Sequence, residues 1–245
     1  MRQVEEITSI APALVGRAVA SQRWSSVTFL HWRAEASALA RLMPAGVRPD
    51  EFDGSSWVGL IGFRLHQATV LGSAPVPYFG DFAEINVRLY GVDAEGRRGV
   101  IFLSLEASRL AAVLAARALF SIPYFWSRTS LEHDDAVVRY ETRRHIGAGE
   151  TRIVARPLTE VVQGDALADF LTARWALFTT RFGRTNYLRN HHEPWPLVRA
   201  ELVELQDSLL ERAGIPSIAG RMPESVLYSA GVTTWFGRAS HLSRV

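Results

Sequence analysis

EINVRLYGVDAEGRRGVIFLSLEA, Glu84 to Ala107, decides how the chain folds. Its ends, EINVRLY and GVIFLSLEA, read as strands, and VDAEGRR between them as a turn, which is a hairpin signature. Successive side chains of a strand face opposite sides. Glu84, Asn86, Arg88 and Tyr90 therefore share one face, and Ile85, Val87 and Leu89 share the other. The apolar face must meet a core. The polar face carries an acid, an amide, a guanidinium and a phenol, all directional hydrogen-bonding groups. Glu84 and Arg88 stand about 13 Å apart along a strand, so each needs another partner or a ligand. On pattern alone this is a solvated face; inside a barrel it is a site.

Reading outward, WSSVTFLHW (Trp24 to Trp32) and WVGLIGFRL (from Trp57) are strands. Between them RAEASALARL is a short helix, with Ala36, Leu39 and Leu42 at helical spacing and Pro44 and Gly46 as stops. LGSAPVPYFGDF is a Pro- and Gly-rich loop. Downstream, SRLAAVLAARALF is a helix with a stripe at Leu110, Val113, Leu114 and Ala118. It ends at Phe-Ser-Ile-Pro, and the aromatics Tyr124, Phe125 and Trp126 follow. AVVRYETRR and TRIVARPL form a strand pair around GAGE. Asp165 N-caps a helix ALADFLTARWALFTTRF. There Leu167, Phe170, Leu171, Trp175, Phe178 and Phe182 recur at steps of three and four. LVRAELVEL and SVLYSAGVTTWF are strands. The pattern predicts one α+β domain over 1–245, mostly β, with about three helices.

With 48% hydrophobic and 21% charged residues among 245, the chain has an ordinary soluble globular composition. No apolar run reaches the roughly 18–20 residues that span a bilayer, so no membrane partner is expected. The N-terminus lacks the pattern of a signal peptide, and cytoplasm is the expected compartment. There is no cysteine, which excludes disulfides, thiol nucleophiles and thiolate metal sites. All 27 basic residues are Arg. Without Lys no side chain can form a Schiff base, and imine chemistry is left to the α-amino terminus. A net charge of +2, with the Arg scattered among 25 acids, argues against nucleic-acid binding.

Two further stretches carry candidate groups. In NHHEPWPL, His192 and Trp195 frame a rigid Pro-containing turn. Adjacent His side chains point opposite ways in an extended segment, and neither HExxH nor HxH spacing is present, so no metal is expected. In FLHWR, His31 reads either as a satisfied core imidazole or as a neutral acid, base or ligand donor. GxSxG, P-loop and GxGxxG motifs are missing, and no cofactor is expected.

The ordered blocks WSSVTFLHWRAEASALARLMPAGVRPDEFDGSSWVGLIGF, FAEINVRLYG, GVIFLSLEA, ARALFSIPYFWSR, LTARWALF and HHEPWPL resemble the YqjF-like bacterial proteins, a family of unknown function. The resemblance runs from about Trp24 to Trp235, with a domain core of about 24–236. It departs from the usual pattern at Trp175 and Gly91. It implies the acetoacetate decarboxylase-like fold, a β-barrel or cone with peripheral helices, and a homo-oligomer that covers its sheet edges. In the decarboxylases a segment like F-G-D-Y-x-E supplies a site Glu. Phe79, Gly80, Asp81, Phe82 and Glu84 match it. Their R-E-L-W-G-F-P-K-K corresponds to Arg117 through Phe125, where Tyr124 and Phe125 replace the lysines. The resemblance thus implies the fold, while the replaced lysines argue against the decarboxylases' lysine imine chemistry.

What remains is a cavity suited to a small organic molecule bearing a carboxylate or carbonyl oxygen. In an enzyme reading, Glu84 is the acid or base, Arg88 holds an anionic group, Asn86 and Tyr124 orient it, and His31 and His192 stand in reserve. Tyr90, Phe125 and Trp195 complete the candidate wall. Feasible reactions are proton transfers, eliminations, hydrations and cyclisations. In the other reading the protein is a noncatalytic sensing or assembly module, with Glu84 and Arg88 bonded to Arg143, Arg174 or backbone.

Overall fold

The computed structural model describes residues 3–75, 78, 80–134 and 136–242, without the side chains of 119 and 120. Phe79 of the FGDF motif, with Val76 and Pro77 of the same loop, lies outside the described residues. The chain forms β1 (Ala20–Ala34), α1 (Ala36–Ala40), β2 (Val47–Pro49), β3 (Ser56–Val70), β4 (Phe82–Asp93), β5 (Arg98–Ala107), α2 (Leu110–Phe120) and β6 (Tyr124–Asp134). There follow β7 (Val137–Arg144), β8 (Glu150–Val161), α3 (Ala166–Thr172), β9 (Ala176–Arg181), β10 (Arg184–His192), β11 (Leu197–Asp207), α4 (Leu209–Arg212) and β12 (Ser225–His241). No described helix is long and apolar enough to cross a membrane.

All twelve strands join one sheet that closes partly into a ring. Pairing runs β10–β9–β5–β4–β3–β1–β12 and returns to β10, a circuit of seven strands. β6, β7, β8 and β11 connect β5 to β12 on the other side. Strands β1, β3 and β4 are therefore a wall common to two enclosures. The largest buried cluster fills one of them: Ile85, Val87 and Leu89 of β4 meet Leu30, Leu60, Tyr140 and Ile153 there. The opposite face of the same wall looks into the seven-stranded circuit.

The hairpin expectation holds, with β4 and β5 antiparallel from Glu84↔Ala107 to Val92↔Arg98. Two helical expectations change. The run ALADFLTARWALFTTRF is not one helix. Asp165 caps α3 through the Ala168 amide at 3.0 Å, but the helix stops at Thr172 and Ala173 leaves helical geometry. Ala176–Arg181 instead pairs with β10 and, in parallel, with β5. Apolar steps of three and four did not distinguish a helix from a short helix followed by a strand, and the sheet edges offered by β5 and β10 settled the outcome. Phe178 is buried in β9, while Phe182 at the hairpin tip is 91% exposed. In α2 only Val113 of the expected stripe is buried; Leu110 and Leu114 face outward. A short fourth helix, α4, also appears.

Among the glycines of the β1–β12 ladder, Gly231 is approached most tightly by the neighbouring backbone. It lies opposite Ser25 beside an irregularity in β1, where Ser26 is left-handed (φ 50°). Gly231 has φ +123°, and a Cβ there would stand 1.9 Å from the Trp24 carbonyl oxygen. Gly231→Ala is expected to lower stability by about 3 kcal/mol, read from chemical unfolding midpoints. An unchanged midpoint would show that the ladder moves aside freely.

Candidate functional site

A cavity of about 130 Å³ lies inside the seven-stranded circuit. Every strand of that circuit contributes to its lining: Trp24 and Phe29 from β1, Phe63 from β3, Glu84, Asn86 and Arg88 from β4, Phe102 from β5, Leu177 from β9, Asn190 and His192 from β10, and Phe236 from β12. Tyr124, Thr172, Arg174 and Trp195 also line it. An apolar engineered cavity of about 150 Å³ holds benzene, so a compact organic ligand fits.

Alternation along β4 brings its polar residues inside, as the sequence predicts. Glu84 is 2% exposed. Tyr124, first residue of β6, donates its hydroxyl to Glu84 Oε2 at 2.7 Å. Asn86 donates to Glu84 Oε1 at 3.3 Å, while its own Oδ1 has no partner among the described residues. Burial pushes the Glu84 carboxyl up to about 7; the two donors oppose the rise and the nearby Glu106 adds to it. Burial, then the Glu84 charge, holds the Tyr124 phenol well above its ordinary range.

Arg88 is anchored from behind. Its Nε donates to the Tyr90 hydroxyl at 3.0 Å and its Nη2 to the Leu171 carbonyl at 3.0 Å. The Tyr90 hydroxyl is 2.7 Å from His31 Nε2. Gly59, paired with His31 on one side and Arg88 on the other, leaves room for this stack. A Cβ at Gly59 would meet the Tyr90 hydroxyl at 3.1 Å and the Arg88 side chain at 3.2 Å. No carboxylate pairs with Arg88 among the described residues. Arg174, by contrast, shares Asp50 Oδ2 with Arg98, at 2.6 and 2.5 Å. Burial, with Arg88 and Arg174 behind it, holds the His31 imidazole well below its usual range.

Glu84, Asn86, Arg88, Tyr124, His192 and Trp195 thus share one cavity. Three other candidates do not line it. His31 and Tyr90 sit one layer behind Arg88. Phe125 follows Tyr124 on a strand and so faces away, where the Arg144 guanidinium lies 3.6 Å from its ring centroid. Arg144 in turn forks onto buried Glu106, which also accepts from Ser127. Sequence reading missed Asn190, although the spacing Asn190–His192 on a strand signals a shared face. It also missed Arg174 as a lining residue, because the residue was assigned to a helix. Among the described residues no three imidazole or carboxylate groups gather as metal ligands.

Comparison with known proteins agrees with this architecture. The model of DUF2071, a family described as uncharacterised conserved proteins, matches residues 21–233. The uncharacterised protein YqjF of Bacillus subtilis (strain 168) is 31% identical over 207 residues, covering 83% of each chain. An acetoacetate decarboxylase-like enzyme from Sphingomonas wittichii RW1 superposes with a TM-score of 0.67 at 14% identity, over 94% of this chain and 95% of that one. The enduracididine biosynthesis enzyme MppR, complexed with pyruvate, superposes with a TM-score of 0.61 at 14% identity, over 93% and 91%. At these identities the two structures establish the fold.

The Glu84 carboxyl gives a pH signature. Its folded-state pKa of about 7 lies above the ordinary 4.5, so the folded chain holds this proton more tightly than the unfolded chain does. The stability tied to this group is complete below pH 4.5 and is lost as pH rises to about 7. The loss is on the order of 3 kcal/mol. Glu84→Gln should flatten that decline, so urea unfolding at pH 5 and 7.5 should favour the variant at the higher pH. Parallel pH profiles of the two proteins would contradict the assignment.

Proposed function

This chain belongs to the DUF2071 family of uncharacterised conserved proteins and has the acetoacetate decarboxylase-like fold, and from that premise we propose that its cavity binds a small organic acid or carbonyl compound and acts on it as a lyase-, hydratase- or cyclase-type enzyme without Schiff-base chemistry. The observation that carries this reading is Arg88. A half-buried guanidinium, held in place by a phenol and a carbonyl and lacking a carboxylate partner among the described residues, is prepared to receive an anion. Pyruvate, the ligand in the MppR complex, has the size this cavity admits.

Glu84 supplies the proton chemistry. A carboxyl titrating near 7 is close to the optimum for a general acid or base at neutral pH. Tyr124 remains protonated and donates to it, fixing the carboxyl where Arg88 would present a bound acid. Asn86 holds the second oxygen. The apolar remainder, from Phe29, Phe63, Phe102, Trp195 and Phe236, strengthens these polar interactions by excluding water.

The test is a binding and turnover screen with lactate, pyruvate, propionate and their four- and five-carbon homologues. Acids are expected to raise the melting temperature, and Arg88→Met to weaken binding roughly 10- to 100-fold, as for a lost charged hydrogen bond. Glu84→Gln should fold and bind but abolish turnover of any substrate found. Turnover unchanged in Glu84→Gln removes the acid–base role, and binding without turnover in the parent chain makes this a sensing module. Borohydride reduction in the presence of pyruvate should leave every side chain unmodified by peptide mass, because the chain has no Lys.

A further inference from the structure

The seven-stranded circuit brings a second polar group to the cavity from the side opposite β4. His192 ends β10, is 2% exposed and lines the cavity, while His191 turns outward to the Pro12 carbonyl. His192 Nδ1 lies 2.6 Å from the Glu193 carbonyl oxygen. A carbonyl only accepts, so Nδ1 carries the hydrogen. Burial, aided by His191 and Arg88, lowers the His192 imidazole to about 4 against the pull of the Glu193 carbonyl. The ring is therefore neutral at pH 7, and Nε2 is left with a lone pair.

No protein donor reaches that lone pair among the described residues. The three indoles around the ring, Trp24, Trp175 and Trp195, have centroids 6.4, 4.6 and 4.8 Å from it. Each commits its N–H elsewhere: Trp24 to Gln22, Trp175 to the Thr8 carbonyl, and Trp195 to the Thr172 carbonyl. Asn190 donates to the Arg174 carbonyl. Thr234, across the ladder from His192, leaves its hydroxyl without a partner among the described residues. His192 Nε2, without a protein partner, is not sealed off from open space, and the His192 ring lines the cavity.

We infer that His192 Nε2 is a fixed hydrogen-bond acceptor that selects ligands carrying a hydroxyl or N–H donor beside their acidic group. This rests on the anion-binding reading of Arg88 above. With the acid held at Arg88, a hydroxyl donates to Nε2. A methylene in its place leaves the lone pair facing an apolar group, and an oxo group sets two acceptors against each other. The ligand class is thus a small hydroxy or amino acid of a size matching the cavity, rather than a plain or oxo acid. His192 sets specificity; it is not required to move a proton.

The experiment is a ligand-observed NMR titration of lactate, propionate and pyruvate, which share one carbon skeleton, with their four- and five-carbon homologues. The parent chain should bind the preferred enantiomer of the hydroxy acid at least roughly tenfold more tightly than the other two. In His192→Phe, which keeps an aromatic ring, that ratio should fall to about one while Arg88-dependent binding of the plain acid persists. A ratio near one in the parent chain, or a ratio that survives in His192→Phe, overturns the inference and leaves the anion-binding reading standing. No Arg88-dependent binding of any acid overturns both. Nitrogen NMR of labelled His in the parent chain gives a check independent of the variant's folding: His192 should show the Nδ1–H tautomer, with Nε2 shifting when hydroxy acid is added. An Nε2–H tautomer overturns the inference.

Discussion

Strand β4 has no solvent face. It belongs to a wall shared by two enclosures, so its apolar side chains close a core while its polar ones face a cavity. Buried polar groups must find partners inside the protein or lose several kcal/mol each. The surroundings of β4 follow from that demand. Glu84 draws Tyr124 and Asn86, and Arg88 draws Tyr90 and the end of α3. Tyr90 in turn draws His31, and Gly59 supplies the gap in which these side chains stack.

The charges follow the same logic. Asp50 faces two guanidiniums, Arg98 and Arg174, while Arg88 has no carboxylate partner among the described residues. The cavity therefore carries an excess of positive charge, which adds to burial, the larger cause, in depressing the imidazoles of His31 and His192. Glu84 resists the trend because loss of water outweighs its donors. The outcome is an acid near neutrality, a permanent cation and a neutral imidazole within one aromatic enclosure, a combination suited to sorting small anions by their remaining groups.

Much of this was legible in the chain. Alternation along EINVRLY gave the face, and the run ending at Tyr124 gave the phenol in place of a lysine. Which enclosure that face entered was not legible, because ring closure depends on pairings between residues as distant as β1 and β12. The α3–β9 segment shows the limit: Leu167, Phe170, Leu171 and Phe178 satisfy a helical stripe, yet Phe178 lies in a strand because neighbouring strands offered their edges. Phe125 shows the converse. It was grouped with Tyr124 by adjacency in sequence, and adjacency in a strand places it on the other side. His31 and Tyr90 were found as polar residues, but that they form a second layer behind Arg88 required the register of three strands.

The shared wall separates two kinds of information along a single strand. Residues 85, 87 and 89 speak only to the core, and residues 84, 86 and 88 only to the cavity. Changes to groups without common contacts act nearly additively. The cavity-facing positions can therefore diversify, in nature or by design, with little penalty to the packing behind them. Such a wall can exchange the groups it presents to the cavity while its architecture stays unchanged.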